Sequence, residues 1–200
     1  MSLPIKRLSY VKLGEIAEAF LKSYHPSLLI PIPIELIAER ALGIELVPVI
    51  DMKKRFDAEA CLASSLKTIF IDYRTYMNFE NRARFSIAHE IAHIVLHAEI
   101  FISLNIKTES DIVKLSKKIT EEEYDWLEFQ AYSFAGHVLV PQKKLLQEVE
   151  SRLGKVPSYK FLPEEIFPIS QELLETFNVS GEVLARRLQK DGIIRSNKSF

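Results

Sequence analysis

The chain has 200 residues, of which 48% are hydrophobic, enough to bury the core of a single domain. Its 26 basic and 27 acidic residues leave a net charge of −1, so no global charge draws it to nucleic acid or to an anionic membrane. The single cysteine, Cys61, excludes an internal disulfide and a multi-cysteine metal cluster, which favours a reducing, cytoplasmic setting. No apolar run reaches the roughly 18 residues of a membrane-spanning helix, so we expect no membrane association. We expect one domain over residues 1–200.

The first 43 residues predict two helices. Residues 10–24 place apolar side chains at helical spacing with charged ones opposite, which indicates an amphipathic helix within an N-terminal segment, 1–30. Its mixed charges favour packing on the core over a membrane surface. Pro31 and Pro33 then open a second helix, which we expect to end before Gly43.

Three short strands are predicted next, at 44–50, 58–63 and 67–72, with the last two forming a hairpin. Pro48 directs the first strand to an edge or a bulge of the sheet. We expect a small antiparallel sheet. One of its edges could accept an extended peptide as a further strand, although a purely structural sheet fits the sequence equally well.

Residues 84–97 contain one complete His-Glu-x-x-His motif. On a helix, His89 and His93 lie one above the other and can both offer a nitrogen to one zinc ion. Glu90 is rotated about 100° from His89, so it suits a general base better than a ligand. The alternative is a pair of ordinary core histidines, which such an apolar helix disfavours because buried imidazoles need partners.

A site of this kind needs a third protein ligand. Glu128 is the first candidate, because it lies within an apolar helical stripe where an unpaired carboxylate would be costly to bury. The stripe consists of Tyr124, Leu127, Ala131, Ala135, Val138 and Leu139. Three other residues remain open as ligands: Glu99, His97 and His137. Glu99 would require the helix to break at once, and His97 fits better as a residue that supports a ligand.

The second half of the chain predicts helices around this site. Residues 100–120 indicate a loop or short helix that could cover the cleft, although a solvated connection is the simpler interpretation. Thr120 to Glu123 form a capping box for the Glu128 helix, which ends at Pro141.

Further along the chain, a helix is predicted at 145–153 and a packed loop at 154–168. Residues 169–194 predict a helix pair, at 169–177 and 180–190, which can be taken as a helix-turn-helix. Its local charge excess is small, so a pair that closes the domain is favoured over a DNA-binding one.

These residues resemble the ImmA/IrrE family of zinc metallopeptidases. Residues 84–97 match its Arg-Phe-x-x-Ala-His-Glu-x-x-His-x-x-x-His helix, and residues 128–141 match Glu-x-x-Ala-Asn-x-Phe-Ala-x-x-Leu-Leu-x-Pro. A Phe-x-Val-Ser segment with Arg-Leu near its close is matched by 177–188. The resemblance runs from about residue 32 to 194. Tyr132 departs from it, because the family more often has Asn or Asp there.

The resemblance implies a zincin-like α+β fold and hydrolysis of peptide bonds, with Zn²⁺ held by His89, His93 and Glu128 and with Glu90 as the catalytic residue. It also implies a regulatory substrate, a helix-turn-helix repressor or antitoxin, which we expect to be a separate protein. The competing hypothesis is a non-catalytic, metal-holding module that binds a repressor, or that touches DNA through its C-terminal helices. An intact general base argues against it. The sequence leaves the oligomeric state and the roles of Tyr132, His97 and His137 open.

Overall fold

A computed structural model describes residues 5–114, 120–154 and 160–195, with the backbone alone for 112–114. The chain is α+β: helices form most of it, and one small sheet packs beside the longest helix. Its elements in chain order are α1 Tyr10–Tyr24, α2 Ile34–Leu36 with a π-helical turn Ile37–Ala41, β1 Glu45–Val49, α3 Met52–Phe56, β2 Ala60–Leu62, β3 Thr68–Asp72, α4 Tyr73–Asn78, α5 Glu80–Leu104, a 3₁₀ turn Glu109–Lys114, α6 Glu121–Leu139, α7 Gln142–Leu153, α8 Pro163–Phe177 and α9 Gly181–Lys190.

The sheet has the order β1-β3-β2, with β3 in the centre. β2 and β3 pair antiparallel, with Cys61 opposite Phe70, so the predicted hairpin is confirmed. β1 instead runs parallel to β3, with Val47 opposite Phe70. The prediction of an all-antiparallel sheet was therefore wrong. α3 and β2 lie between β1 and β3 in the sequence, and this long connection lets β1 enter the sheet in the same direction as β3. Pro48 lies on an edge strand, as predicted.

α5 is the central helix of the core. Ile87, Ala88, Ile91 and Ala92 are fully buried. Its length and composition would allow it to cross a membrane, but 56% of its most apolar window is buried inside the protein, as in the core helix of a soluble protein. The helix is kinked at His97, whose φ of −133° and ψ of 20° are not helical.

α6 packs along both α5 and α1. Thr120 caps it through the predicted box: its hydroxyl accepts from the Glu123 backbone N–H, and the Glu123 carboxylate accepts from the Thr120 backbone N–H. Phe134 is fully buried and meets Phe20 of α1 edge to face, with ring centroids 5.6 Å apart. α6 is thus fixed against two neighbours, and this fixes the direction in which Glu128 points.

Several boundaries differ from the predictions. Residues 100–104 continue α5 instead of forming a loop, and α3 and α4 are short helices that no periodicity in the sequence indicated. α8 begins at Pro163, so most of the predicted loop 154–168 is helix or lies in 155–159, outside the described residues. The helix pair α8 and α9 is present, while its interpretation as a DNA-binding helix-turn-helix stays a prediction.

Candidate metal centre

His89 and His93 direct the same ring nitrogen to one point. They lie one turn apart on α5, and their Nε2 atoms are 3.2 Å apart. Two nitrogens bound to one tetrahedral zinc lie about 3.3 Å apart, given zinc–nitrogen distances of about 2.0–2.1 Å. The spacing on the helix therefore produces the separation that a shared ion requires.

Glu128 reaches the same point from α6. Its Oε2 lies 3.2 Å from His89 Nε2, and its Oε1 lies 3.8 Å from His93 Nε2. Burial lowers the pKa of His89, but the hydrogen bond and negative charge of Glu128 outweigh burial and leave that pKa raised. The pKa of His93 is well below its ordinary value, because of burial and of the neighbouring His89 and His97. Neutral His93 therefore has a lone pair to offer a cation.

Glu90 lies beside these groups but turns toward the sheet. Its side chain is 6% exposed, and the backbone N–H of Leu62 in β2 donates to its carboxylate. Burial, opposed by His89 and assisted by Glu128, raises the pKa of Glu90 to about 7. A carboxyl group with a pKa near neutrality can both accept and return a proton, which is the property of a general acid–base residue.

His97 supports His93. The Nδ1 atoms of the two rings are 3.0 Å apart, so one nitrogen carries the proton and the other accepts it. If His93 binds a cation through Nε2, its proton must be on Nδ1 and His97 must be the acceptor. The ring of His93 also packs on Phe101, with centroids 4.5 Å apart. His97, at the kink of α5, is therefore placed to orient His93, and its role as a support for a ligand stays a prediction.

The other two open candidates lie away from this point. Glu99 follows the kink but is not among the residues that line the cleft. His137 faces α1 and α9, where its Nδ1 accepts from Arg187 Nη1 at 2.6 Å and its ring packs on Tyr10. Among the four candidates for the third ligand, Glu128 is the one whose oxygens approach both His89 and His93.

A cleft of about 490 Å³ opens over the three converging side chains. One wall is β2, which is an edge strand of the sheet. On the side that faces β3, the carbonyl of Glu59 and the N–H of Ala63 form backbone hydrogen bonds with β3 and its flanking residues. The alternating pattern of an antiparallel pair directs the backbone groups of Ala60 and Leu62 toward the cleft. The lining residues are Phe56, Asp57, Ala58, Glu59, Ala60, Cys61, Phe85, Ser86, His89, Glu90, His93, Phe101, Tyr124, Glu128 and Tyr132.

Tyr132, where the sequence departs from the resembled pattern, belongs to this wall. Its ring packs on Phe85 with centroids 4.7 Å apart, and the Arg186 guanidinium lies 4.3 Å above it. Its hydroxyl is hydrogen-bonded to Glu182. Tyr132 thus links the cleft wall to α9.

Arg84 has a structural role on α5 that the sequence did not indicate. It is buried on α5, where its Nη2 donates to the carbonyl of Ile32 at 2.8 Å and its Nε donates to that of Asn178 at 3.3 Å. Its Nη1 lies 3.5 Å from a carboxylate oxygen of Glu35. One guanidinium therefore ties α5 to segments 52 and 94 residues away, and the signal for it in the sequence was its place as the first residue of the matched helix pattern.

The donor set fits a divalent metal. His89, Glu90 and His93 have ligand-type atoms within 4.8 Å of one another, and the Glu128 carboxylate adds a fourth group at the distances given above. Two imidazoles and a carboxylate that converge on a partly enclosed point suit zinc, whose catalytic sites use three protein ligands. Glu90, bonded to Leu62, has a carboxylate already engaged with the sheet. The arrangement is that of a zincin-like metal centre.

Comparison with known protein families also places the chain in a peptidase family. A family model for the IrrE N-terminal-like domain, a peptidase family, matches residues 41–189, so the chain belongs to this family. No curated protein gives a significant match. Among solved structures, the chain is similar to a Mycobacterium tuberculosis transcriptional regulator, with a TM-score of 0.56 and 18% identity. That match covers 94% of this chain and 48% of the regulator, so this chain spans about half of the regulator's length, and the likeness concerns the fold alone.

Proposed function

We propose that the protein is a zinc-dependent metallopeptidase that makes a site-specific cut in a helix-turn-helix repressor or antitoxin, in the cytoplasm. The observation that carries the proposal is the position of Glu90, buried between the histidine pair and β2 with a pKa near 7. Burial of a carboxylate destabilises the fold unless the carboxylate has a role that requires it there, and proton transfer is such a role. The family, whose model describes a peptidase domain, supports the same reaction.

His89, His93 and Glu128 would hold the zinc ion. When bound, zinc supplies a Lewis acid that polarises the scissile carbonyl and lowers the pKa of the attacking water. Glu90 takes a proton from that water as the water oxygen bonds to the carbonyl carbon. Glu90 then returns the proton to the leaving amine as the carbon–nitrogen bond breaks.

β2 would hold the substrate. Ala60 of β2 and Glu90 line the same cleft, so an extended peptide paired with the outward backbone groups of Ala60 would lie in the cleft that holds the general base. This mode of binding needs a flexible segment of the partner, because a strand can add to an edge only if it is unfolded locally. A linker or an exposed tail of a repressor meets this requirement.

The non-catalytic alternative receives less support. A DNA-binding role for α9 would need free cations, but Arg186 pairs with Glu182 at 3.0 Å and Arg187 is buried against Asp191 at 2.8 Å. Arg187 is engaged inside the protein, whereas Arg186 is exposed but paired with Glu182 and stacked on Tyr132. This favours a structural role for α9.

The proposal is tested with the zinc-loaded protein and helix-turn-helix proteins encoded beside its gene. We expect one zinc per chain by mass spectrometry and a single new pair of fragments from one partner. Removal of zinc with a chelator should stop the cleavage, and added zinc should restore it. Intact partners after incubation with fully zinc-loaded protein would contradict the proposed substrate class, and absence of zinc binding would contradict the metal centre.

A further inference from the structure

α6 carries two tyrosines, each one turn from Glu128 and each part of the cleft wall. Tyr124 precedes Glu128 by four residues and Tyr132 follows it by four, so all three side chains lie on one face of the helix. The hydroxyl groups of the two tyrosines have different surroundings. That of Tyr132 is engaged with Glu182, and its ring lies beneath Arg186.

Tyr124 is open to the cleft. It is 43% exposed, and the carboxylates of Glu128, Glu90, Asp125 and Asp57 are near enough to act on its phenol. Burial, and to a smaller extent the negative charges of Glu128 and Glu90, raise the pKa of its phenol to about 12. The phenol therefore keeps its proton across the neutral range and can act as a hydrogen-bond donor to a bound molecule.

The proposed hydrolysis needs such a donor. When the water oxygen bonds to the carbonyl carbon, an electron pair of the C=O bond moves to the carbonyl oxygen, which gains negative charge. Among the described residues that line the cleft, no lysine or arginine is present to meet this charge. The Ser86 hydroxyl lies on α5 beneath the surface and is only 9% exposed. The phenol of Tyr124, which lines the cleft and is 43% exposed, is the better placed side-chain donor.

We propose that Tyr124 is a further catalytic residue, whose hydroxyl donates a hydrogen bond to the carbonyl oxygen of the scissile bond as that oxygen becomes negative. The proposal rests on the peptidase function. The hydroxyl transfers no proton: Glu90 carries the proton from water to amine, and the electron pair returns from oxygen to carbon as the carbon–nitrogen bond breaks.

The test compares three Tyr→Phe variants, each of which removes one hydroxyl. Tyr124→Phe should lower kcat about 100-fold, the size typical of one lost oxyanion donor, with KM and zinc content unchanged. Tyr24→Phe is the matched control, because Tyr24 is also 43% exposed but lies at the end of α1, outside the cleft lining. It should behave as the wild type. A loss of kcat in Tyr132→Phe but not in Tyr124→Phe would overturn the assignment.

A second measurement does not depend on turnover. A phosphinic peptide library, whose tetrahedral oxygens imitate the charged intermediate, is bound to zinc-loaded wild type and Tyr124→Phe, with the matching amide library as the reference. Tyr124→Phe should bind the phosphinic probes about 100-fold more weakly and the amide probes equally well. Equal phosphinic binding by both proteins contradicts the role of Tyr124 even if the wild type cleaves its substrate. A wild type that cleaves no protein while this difference persists would instead contradict the proposed function alone.

Discussion

Glu128 Oε2 on α6 lies 3.2 Å from His89 Nε2 on α5, although 39 residues separate the two along the chain. This contact completes a set of three donors that neither helix could form alone. α5 supplies both imidazoles through helical spacing, and α6 supplies the carboxylate through its packing on α5.

Glu128→Ala removes one of these donors. We expect zinc affinity to fall by at least 10- to 100-fold, the loss typical even of residues that only support a ligand. Glu99→Ala is the control, because it also removes a glutamate side chain, but an exposed one on α5 that lies outside the cleft lining. Competition with a chromogenic chelator measures both affinities. Weaker zinc binding by Glu99→Ala with unchanged binding by Glu128→Ala would show that Glu99, and not Glu128, is the third ligand.

His97→Phe tests the support of His93. Phenylalanine keeps an aromatic ring in the kinked turn but cannot accept the proton on His93 Nδ1. The proton is then free to move to Nε2, so zinc affinity should fall about 10- to 100-fold while the fold, followed by circular dichroism, is kept. Unchanged zinc affinity in a folded variant would reduce His97 to a packing residue.

We expect His137 to make the stability of the protein depend on pH. Burial, and then the charge of Arg187, lower its pKa to about 3, whereas an unfolded histidine titrates near 6.5. Between these values the unfolded chain binds the extra proton, so the free energy of unfolding falls as pH is lowered from about 6.5 toward 3. In chelator-treated protein, His137→Gln should lose less stability between pH 7 and pH 5 than the wild type. Both should show the same small change between pH 7 and pH 8, and equal slopes below pH 6.5 would contradict this role for His137.

The sequence predicted best where a feature depends on local spacing. α1 begins and ends at the predicted residues, the Thr120 capping box forms both of its hydrogen bonds, and the two histidines converge because residues four apart share a helix face. Glu128 was predicted by a related argument, since a carboxylate inside an apolar stripe needs a partner, and its carboxylate does lie beside His89 and His93.

What the sequence missed depends on contacts between distant segments. The parallel direction of β1 is decided by the path of the chain through α3 and β2, and no residue in β1 encodes it. The buried guanidinium of Arg84 contacts Ile32 and Asn178, which only the folded chain brings near. The kink at His97 likewise follows no Gly or Pro, so the straight helix was the natural expectation.

The central claim, that Glu90 moves the proton in peptide hydrolysis, is tested most directly by Glu90→Gln. Glutamine keeps the shape of the side chain and can still accept from the Leu62 backbone N–H, so the fold and the zinc content should persist. It cannot take the proton from water or return it to the amine. Cleavage of the partner should therefore fall by about 10²- to 10⁴-fold, while a pull-down still recovers the partner. The measurement is the cleavage rate of wild type and Glu90→Gln side by side in zinc-loaded samples: a loss of that size in the variant is the result we predict, and cleavage at the wild-type rate would contradict it.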